Sequence, residues 1–289
     1  MWWLGARPRT LPAAVVPVAV GAACAVGSSG VVMGRALLAL VVSLALQVGV
    51  NFANDYSDGV RGTDDHRVGP LRLVASGSAT PGAVKRAALA AFGVAALAGL
   101  ALATMTSWWL LVVGAAALVA GWTYTGGPKP YGYLGLGEVF VFVFFGLVAT
   151  AGTTFVVLDR WTGWPLVAAV PVGCWACALL VVNNLRDRPL DAGVGKMTLA
   201  VRLGDGATRW FYVLLLAVAL VVALAVAVAW RWPAVLAVLG APLTWRVVRR
   251  VRAGANGREL IPVLGLTGRV QLVAGVAFAV GLALGGWLN

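Results

Sequence analysis

Asn51–Asp65, with the sequence NFANDYSDGVRGTDD, holds four of the ten acidic residues of the protein and begins where a long apolar segment ends. Only 11% of the 289 residues are charged, whereas soluble domains carry about 25%. Because charged side chains are costly inside lipid, acids that follow an apolar segment are expected at a membrane surface. This stretch therefore predicts a membrane protein with an acidic cluster at one face.

Outward from this stretch, the chain consists mainly of apolar segments. It is 61% hydrophobic, its mean hydropathy is +0.92, and several apolar runs reach the roughly 18 residues that a membrane span requires. The runs are continuous rather than alternating, which indicates helices and not a barrel. We predict an all-α, polytopic membrane protein: one domain, residues 1–289, forming a single bundle around a central cavity open to the cytoplasmic side. The nine predicted spans are 11–29, 36–56, 86–105, 107–123, 136–157, 164–184, 209–230, 233–247 and 268–287.

The charges are unevenly divided between the two faces of this nine-span arrangement. Of the 22 Lys and Arg residues, only Arg35, Arg160 and Arg231 fall on one side. The positive-inside rule then places the amino terminus in the cytoplasm and the carboxyl terminus outside, in the cell membrane. The same asymmetry accounts for the net charge of +12 without nucleic acid as a partner, and it predicts attraction of membrane lipid to the inner face.

Two classes of function are disfavoured by where reactive side chains fall. An ion pathway needs acidic residues near the membrane midplane, and no predicted span carries one there. Cys174 and Cys177 have a zinc-like spacing, but they lie inside an apolar span, so we expect buried apolar packing for them and for Cys24.

A second polar cluster, Asn183–Asp191 (NNLRDRPLD), ends another apolar run far downstream. The pairs Asn54/Asp58 and Asp187/Asp191 are each four residues apart, so on a helix each pair shares one face. Oxygen ligands without His or thiolate suit Mg²⁺, which commonly binds one or two carboxylates together with phosphate oxygens. We predict that the clusters face each other across one cavity and bind Mg²⁺ and a diphosphate. The alternative is that they are solvated loop acids paired with nearby arginines.

These two clusters resemble the two aspartate-rich motifs of UbiA-type intramembrane prenyltransferases. The resemblance covers essentially the whole chain and is closest to the branch that prenylates 1,4-dihydroxy-2-naphthoate in menaquinone synthesis. It is carried by Arg7–Ala13 (RPRTLPA), Asn54–Arg72, Asn183–Asp187 and Gly195–Gly204 (GKMTLAVRLG). The sequence departs from the family pattern at one point. The third acid of the first motif often follows the second by four residues, but position 62 is glycine here and the next acids are Asp64 and Asp65, so either of these can be the ligand.

The resemblance implies a Mg²⁺-dependent transferase that takes a polyprenyl group from polyprenyl diphosphate. Metal and cationic side chains stabilise the leaving diphosphate, and an apolar cavity keeps water from the allylic cation. In the naphthoate branch, the attacked carbon of 1,4-dihydroxy-2-naphthoate loses its carboxylate as CO₂, and the product is demethylmenaquinone.

Residue roles follow from matching positions to these motifs. The predicted metal ligands are Asn54, Asp55, Asp58, Asp64, Asp187 and Asp191. The predicted diphosphate contacts are Arg67, Arg72, Lys129 and Lys196, and the predicted catalytic residues are Asp58, Asp187 and Lys129. The predicted cavity or acceptor residues are Gln47, Asn51, Tyr124, Tyr131 and Asn183. Thr10 is interpreted as part of a helix start, and Glu138 as an anion favoured by a helix N-terminus, with catalysis as its alternative.

Two other functions remain open from the sequence. A UbiA-type enzyme with another acceptor, such as 4-hydroxybenzoate, would carry the same motifs. A transporter of phosphorylated lipids or small anions would use the same basic face, and it would bind its ligand without turnover. The length of the prenyl chain depends on the depth of the cavity.

Overall fold

The computed structural model describes residues 1–63 and 72–288, and over these ranges the chain is helical and contains no β-strand. The α-helices are α1 (Trp2–Gly5), α2 (Pro12–Ala25), α3 (Gly34–Val60), α4 (Pro81–Met105), α5 (Leu110–Thr123), α6 (Gly137–Val141), α7 (Ala149–Leu158), α8 (Trp164–Gly193), α9 (Leu199–Ala229), α10 (Ala241–Arg252) and α11 (Leu260–Leu288). A π-helical segment, Phe142–Val148, joins α6 to α7. Short 3₁₀ helices lie at Pro8–Thr10, Tyr131–Leu134, Trp232–Gly240 and Gly257–Glu259.

Helices α4, α9 and α11 begin earlier than the predicted spans 86–105, 209–230 and 268–287, and a threonine caps the first two. Helix α4 begins at Pro81, where the Thr80 hydroxyl accepts a hydrogen bond from the Ala83 amide at 3.3 Å. Helix α9 begins at Leu199 rather than at residue 209, and Thr198 caps it in the same way. Hydropathy alone does not distinguish a capped polar first turn from a loop, so a span predicted from hydropathy begins too late. Gly204, with φ of +76°, kinks α9 between this first turn and its apolar part.

The chain is a multi-pass membrane protein. Six helices are long and apolar enough to cross a bilayer by length and composition, and a seventh span results if the bent pair Trp2–Thr10 and Pro12–Ala25 counts as one. Helix α5 has 14 residues, or roughly 21 Å at 1.5 Å per residue, which is short for a hydrocarbon core of about 30 Å. The predicted span 233–247 is a 3₁₀ helix followed by the basic helix α10. The number of nine crossings therefore stays a prediction.

Two apolar cores surround the region where the acidic clusters lie. The larger core joins α2, α8, α9 and α11, and it includes the three cysteines, which are buried as predicted. The smaller core joins α3 and α4 with Leu73. Between the cores lies a cavity of about 950 Å³, lined by α2, α3, α5, α8 and the segment from α6 to α7.

The π-helical segment forms part of the cavity wall. Gly146 lies against Gly173 of α8 so closely that a Cβ on Gly146 would come within 2.7 Å of the Gly173 Cα atom. Two glycines are therefore required where these helices cross. The extra residue in a π turn shifts the side chains that follow it, and Phe144 and Phe145 of this segment line the cavity.

Candidate active site

The first acidic cluster lies on the last turns of α3. Asn54 and Asp58 are 7% and 1% exposed, and both line the cavity. They share a face because helical positions four apart lie one above the other. The Asn54 Oδ1 atom accepts a hydrogen bond from the Thr125 hydroxyl at 2.8 Å. This face of α3 therefore presents two oxygen-bearing side chains to the cavity.

The second cluster lies near the end of α8. Asp187 lines the cavity, and its two carboxylate oxygens accept hydrogen bonds from Nε and Nη2 of Arg186, each at 2.7 Å. Such a two-pronged pair fixes the orientation of the carboxylate. Asp191 is also buried, at 8% exposed. Asp187 of the second motif therefore borders the same cavity as Asn54 and Asp58, whereas Asp191 is not part of its lining.

Lys196 joins the two clusters. Its Nζ atom lies 3.5 Å from Oδ2 of Asp58 and 3.8 Å from Oδ1 of Asp191. Two carboxylates that are remote along the chain thus lie against one ammonium group.

Asp58 contacts side chains from several parts of the chain. Nη2 of Arg72 lies 4.0 Å from Oδ2 of Asp58, and the Tyr133 hydroxyl donates a hydrogen bond to Oδ1 at 2.9 Å. Burial, together with the nearby charge of Asp58, raises the pKa of Tyr133. Tyr133 was not predicted as a site residue, and it keeps its proton as a donor to Asp58.

The donor set of this site fits Mg²⁺. Asn54, Asp58, Asp187 and Asp191 carry hard oxygen atoms on two helices, the donor type that Mg²⁺ prefers. The Lys196 ammonium lies between two of these carboxylates, where a cation is favoured. Among residues 1–63 and 72–288, no group of three or more His, Cys, Asp or Glu side chains that could hold a metal ion is found, and the metal ligands stay a prediction.

Asp55 and Lys129 are not among the residues that line the cavity. The two carboxylate oxygens of Asp55 accept hydrogen bonds from the Leu73 and Val74 amides at 2.8 and 3.0 Å, and Asp55 does not line the cavity. These contacts hold the segment after α3, and the predicted metal role of Asp55 stays a prediction. Lys129 is exposed and does not line the cavity, and its predicted diphosphate contact and catalytic role stay predictions. A turn built from Gly and Pro keeps it at the surface.

Three of the predicted residues lie outside the described ranges. Asp64, its alternative Asp65, and Arg67 belong to residues 64–71. Their predicted contacts with metal and diphosphate stay predictions.

A polar group lies on the cavity wall between α3 and the segment before α2. Gln47 and Asn51 each donate a hydrogen bond to the Thr10 hydroxyl, at 3.2 and 3.1 Å. Asn51 also donates to the Ala6 carbonyl at 2.9 Å. Thr10 was interpreted only as part of a helix start, yet it connects both predicted acceptor residues. Arg7, in the left-handed region with φ of +53°, lines the cavity beside them.

Aromatic rings line the cavity beside the acids. Tyr124 meets Tyr131 edge to face at 5.4 Å between centroids, and Tyr131 stacks on Phe140 at 3.9 Å. Phe144 continues this row, 6.2 Å from Phe140. All four residues line the cavity. Ring faces attract cations, so this row suits a transient carbocation.

Asn183 and Asn184 precede the second acidic pair, and both line the cavity. Arg186 Nη2 donates to the Asn183 side-chain oxygen at 2.9 Å. Asn184 donates through Nδ2 to Glu138 Oε1 at 3.0 Å, which leaves its carbonyl oxygen as an acceptor at the cavity. Glu138 is 5% exposed and does not line the cavity. Sequence reasoning missed Asn184, although its position one turn before Asp187 placed it on the same helical face.

The cavity continues far beyond the polar residues. Ala39 and Asp58 of α3 both line it, and they are separated by roughly 28 Å along the helix axis at 1.5 Å per residue. Its distant end is apolar, with Val42, Trp109 and Leu110. The site thus consists of a charged mouth and a long apolar interior.

Comparisons with known proteins agree with this geometry. The UbiA prenyltransferase family model matches residues 14–261. The chain is 52% identical over 286 residues to 1,4-dihydroxy-2-naphthoate octaprenyltransferase of Mycobacterium tuberculosis, covering 98% of this chain and 97% of that protein.

Solved structures share the fold at low sequence identity. A UbiA homolog from Aeropyrum pernix K1 aligns with a TM-score of 0.69 and 16% identity, covering 94% of this chain and 97% of that one. A UbiA homolog from Archaeoglobus fulgidus bound to GPP and Mg²⁺ aligns with a TM-score of 0.66 and 14% identity, covering 98% and 99%. With two acidic clusters converging on Lys196 at the mouth of an apolar cavity, the chain belongs to the UbiA prenyltransferase family.

Proposed function

We propose that this protein transfers a polyprenyl group from polyprenyl diphosphate to 1,4-dihydroxy-2-naphthoate, releasing diphosphate and CO₂ and giving demethylmenaquinone. The observation that carries the reaction type is the contact of Lys196 with Asp58 and Asp191 at the cavity mouth. The acceptor rests on the 52% identity to the mycobacterial naphthoate octaprenyltransferase across nearly the whole chain.

The cationic side chains at the mouth bind the diphosphate. Arg72 and Lys196 lie against Asp58, and a bound diphosphate would be held by the same two cations. Their charge compensates the negative charge that develops as the carbon–oxygen bond breaks. Asn54, Asp58, Asp187 and Asp191, with Asp64 or Asp65, are the residues that would hold Mg²⁺. When bound there, the metal neutralises part of the diphosphate charge.

The apolar interior holds the prenyl tail and keeps water from the cation. Val42, Trp109 and Leu110 line the apolar end of the cavity, away from its charged mouth. The allylic carbon next to the diphosphate lies nearest Tyr124 and Tyr131, whose ring faces stabilise positive charge. Exclusion of water favours attack by the aromatic acceptor over hydrolysis.

The polar group on the cavity wall binds the acceptor. Gln47, Asn51 and Thr10 form one hydrogen-bonded set, and Arg7 supplies positive charge beside it. These groups suit a dihydroxylated aromatic ring with a carboxylate. The ring carbon that bears the carboxylate forms the new carbon–carbon bond, and the electron pair of the bond to CO₂ restores the aromatic ring.

The membrane arrangement that we propose has nine crossings in one domain, residues 1–289. The amino terminus and the cavity mouth face the cytoplasm of the cell membrane, and the carboxyl terminus lies outside. Support comes from the loops on the side of the acidic clusters, which contain most of the Lys and Arg residues. Short helices such as α5 cross by packing in the bundle together with their flanking residues.

The reaction is tested by incubating the purified protein with a polyprenyl diphosphate, Mg²⁺ and one acceptor at a time. We expect release of both pyrophosphate and CO₂ with 1,4-dihydroxy-2-naphthoate. Turnover with 4-hydroxybenzoate alone would replace the naphthoate by that acceptor. Binding of the diphosphate without turnover of any acceptor would favour a transporter of phosphorylated lipids.

A further inference from the structure

A basic groove lies on the outer surface of α10, apart from the cavity. It has a volume of about 420 Å³ and is lined by Arg246, Arg249, Arg250, Ala253 and Leu266. The three arginines occupy positions i, i+3 and i+4 of α10, so they share one face. Leu266, from α11, contributes an apolar wall beside them.

The arginines of this groove are not neutralised by acids. Arg246, Arg249 and Arg250 are exposed, and none of them forms an ion pair with a residue in the described ranges. Asp205 is engaged by Arg209 and, at 3.5 Å, by Arg188. Like charges at these spacings destabilise a helix. An anion bound between them would relieve this repulsion.

Exposed tryptophans mark the depth of the groove in the membrane. Trp245 on α10 and Trp210 on α9 are 64% and 59% exposed, and Arg252 lies over the Trp210 ring at 3.9 Å. Tryptophan is enriched where the hydrocarbon core meets the headgroups. The groove therefore lies at the level of the lipid phosphates, with an apolar wall toward the acyl chains.

We propose that this groove binds the phosphate of an anionic membrane phospholipid, with an acyl chain along Leu266. Guanidinium groups match phosphate oxygens in two-pronged hydrogen bonds. A lipid fits better than free phosphate because the arginines adjoin an apolar wall and interfacial tryptophans. Basic pockets between membrane helices are suited to anionic headgroups.

The groove lies on the same face of the protein as the acidic clusters. Arg209 donates a hydrogen bond to the Val251 carbonyl at the end of α10 and pairs with Asp205. Asp205 in turn pairs with Arg188, the residue after Asp187. The bound lipid would thus belong to the leaflet at the cavity mouth, whichever acceptor the enzyme uses.

The test measures lipid binding to the delipidated, detergent-purified full chain by native mass spectrometry. Dioleoyl phosphatidylglycerol is titrated against dioleoyl phosphatidylcholine. The groove variant is Arg246→Gln with Arg250→Gln, and its matched control is Lys85→Gln with Arg86→Gln, which removes two exposed charges on α4. We expect wild type and control to prefer phosphatidylglycerol by roughly tenfold or more and the groove variant to lose that preference.

Two further arms separate the possible sources of phosphate. Soluble glycerol phosphate and inorganic phosphate should not displace the bound phosphatidylglycerol, because neither gains the apolar contact. Displacement by either would instead indicate a free-anion site. Absence of a preference in wild type, or an equal loss in the control variant, would show that no headgroup site exists at α10.

Discussion

Asp55 and Asp58 belong to one acidic motif but lie in different surroundings. Asp58 lines the cavity and contacts Lys196 and Tyr133, whereas Asp55 accepts two main-chain amides. Positions three apart on an α-helix are offset by about 60° around its axis, and on α3 this offset lets Asp58 border the cavity while Asp55 reaches the main chain of Leu73 and Val74. Separate effects of substitution are therefore expected at the two positions.

Asp58→Asn should lower kcat about a hundredfold or more, because the charge that organises metal and cations at the mouth is lost. Its apparent melting temperature should change little. Asp55→Asn should instead lower stability by about 2–4 kcal/mol, because its amide presents a donor to one main-chain N–H. Turnover and thermal unfolding of both variants in detergent check this. If Asp55→Asn lowered kcat as much as Asp58→Asn and left the melting temperature unchanged, Asp55 would instead be a metal ligand.

Tyr133 gives a pH dependence at the residue scale. Burial raises the pKa of its phenol in the folded protein above the ordinary value of about 10. The folded state therefore holds the phenol proton more tightly than the unfolded state does. The contribution of the protonated Tyr133 to stability is complete below about pH 10 and is lost as the pH rises further, because the unfolded state releases the proton first. Between about pH 9 and about pH 11, the melting temperature of the wild-type protein should fall more steeply than the melting temperature of Tyr133→Phe. Identical pH profiles would contradict the coupling.

At the scale of elements, Arg231 joins the ends of helices that are distant in sequence. Its guanidinium donates to the carbonyls of Ala23, Val26 and Leu282, at 2.9, 2.7 and 2.8 Å. The Ala23 and Val26 carbonyls lie at the end of α2, where main-chain acceptors lack helical partners, and the Leu282 carbonyl lies within the last turns of α11. The side chain is 6% exposed, so this cation is neutralised by helix ends rather than by an acid.

Arg231→Met should destabilise the protein by about 3 kcal/mol or more, because three buried carbonyls lose a charged donor. Lysine at this position should recover part of the loss, since one ammonium reaches fewer carbonyls. Arg160→Met, at an exposed arginine, is the matched control and should leave melting unchanged. Thermal unfolding checks all three variants, and a melting temperature for Arg231→Met equal to that of the control would rule out this role.

At the scale of the whole molecule, the cavity connects the charged mouth with a distant apolar end. Val42 lines that end, while the adjacent Val41 points outward and is 41% exposed. The two residues provide a matched pair for testing where the prenyl tail lies.

Val42→Trp should fill the distant end and lower kcat/KM for a long polyprenyl diphosphate by roughly tenfold, a loss that corresponds to about 1.4 kcal/mol. Geranyl diphosphate should be used as well as before, because its short tail does not reach Val42. Val41→Trp should behave like wild type with both substrates. Competition assays with the two diphosphates measure the ratio, and an equal effect on short and long substrates would place the tail elsewhere.

The fold class could be predicted from composition because the lipid solvent leaves few choices. Continuous apolar runs satisfy their main-chain groups only as helices, and the predicted spans overlap helices throughout the described ranges. The boundaries at Pro81 and Leu199 were less predictable, because polar first turns capped by Thr80 and Thr198 resemble loops.

The sequence by itself determined the helical membrane architecture, the two acidic clusters and the oxygen ligands suited to Mg²⁺, since these follow from local composition and helical periodicity. Only the tertiary structure decided that Asp58 enters the cavity while Asp55 holds a loop, that Lys196 rather than Lys129 meets the acids, and that Thr10 joins Gln47 and Asn51. The physical reason is that periodicity places side chains on a face, whereas packing between distant helices selects which face borders the cavity.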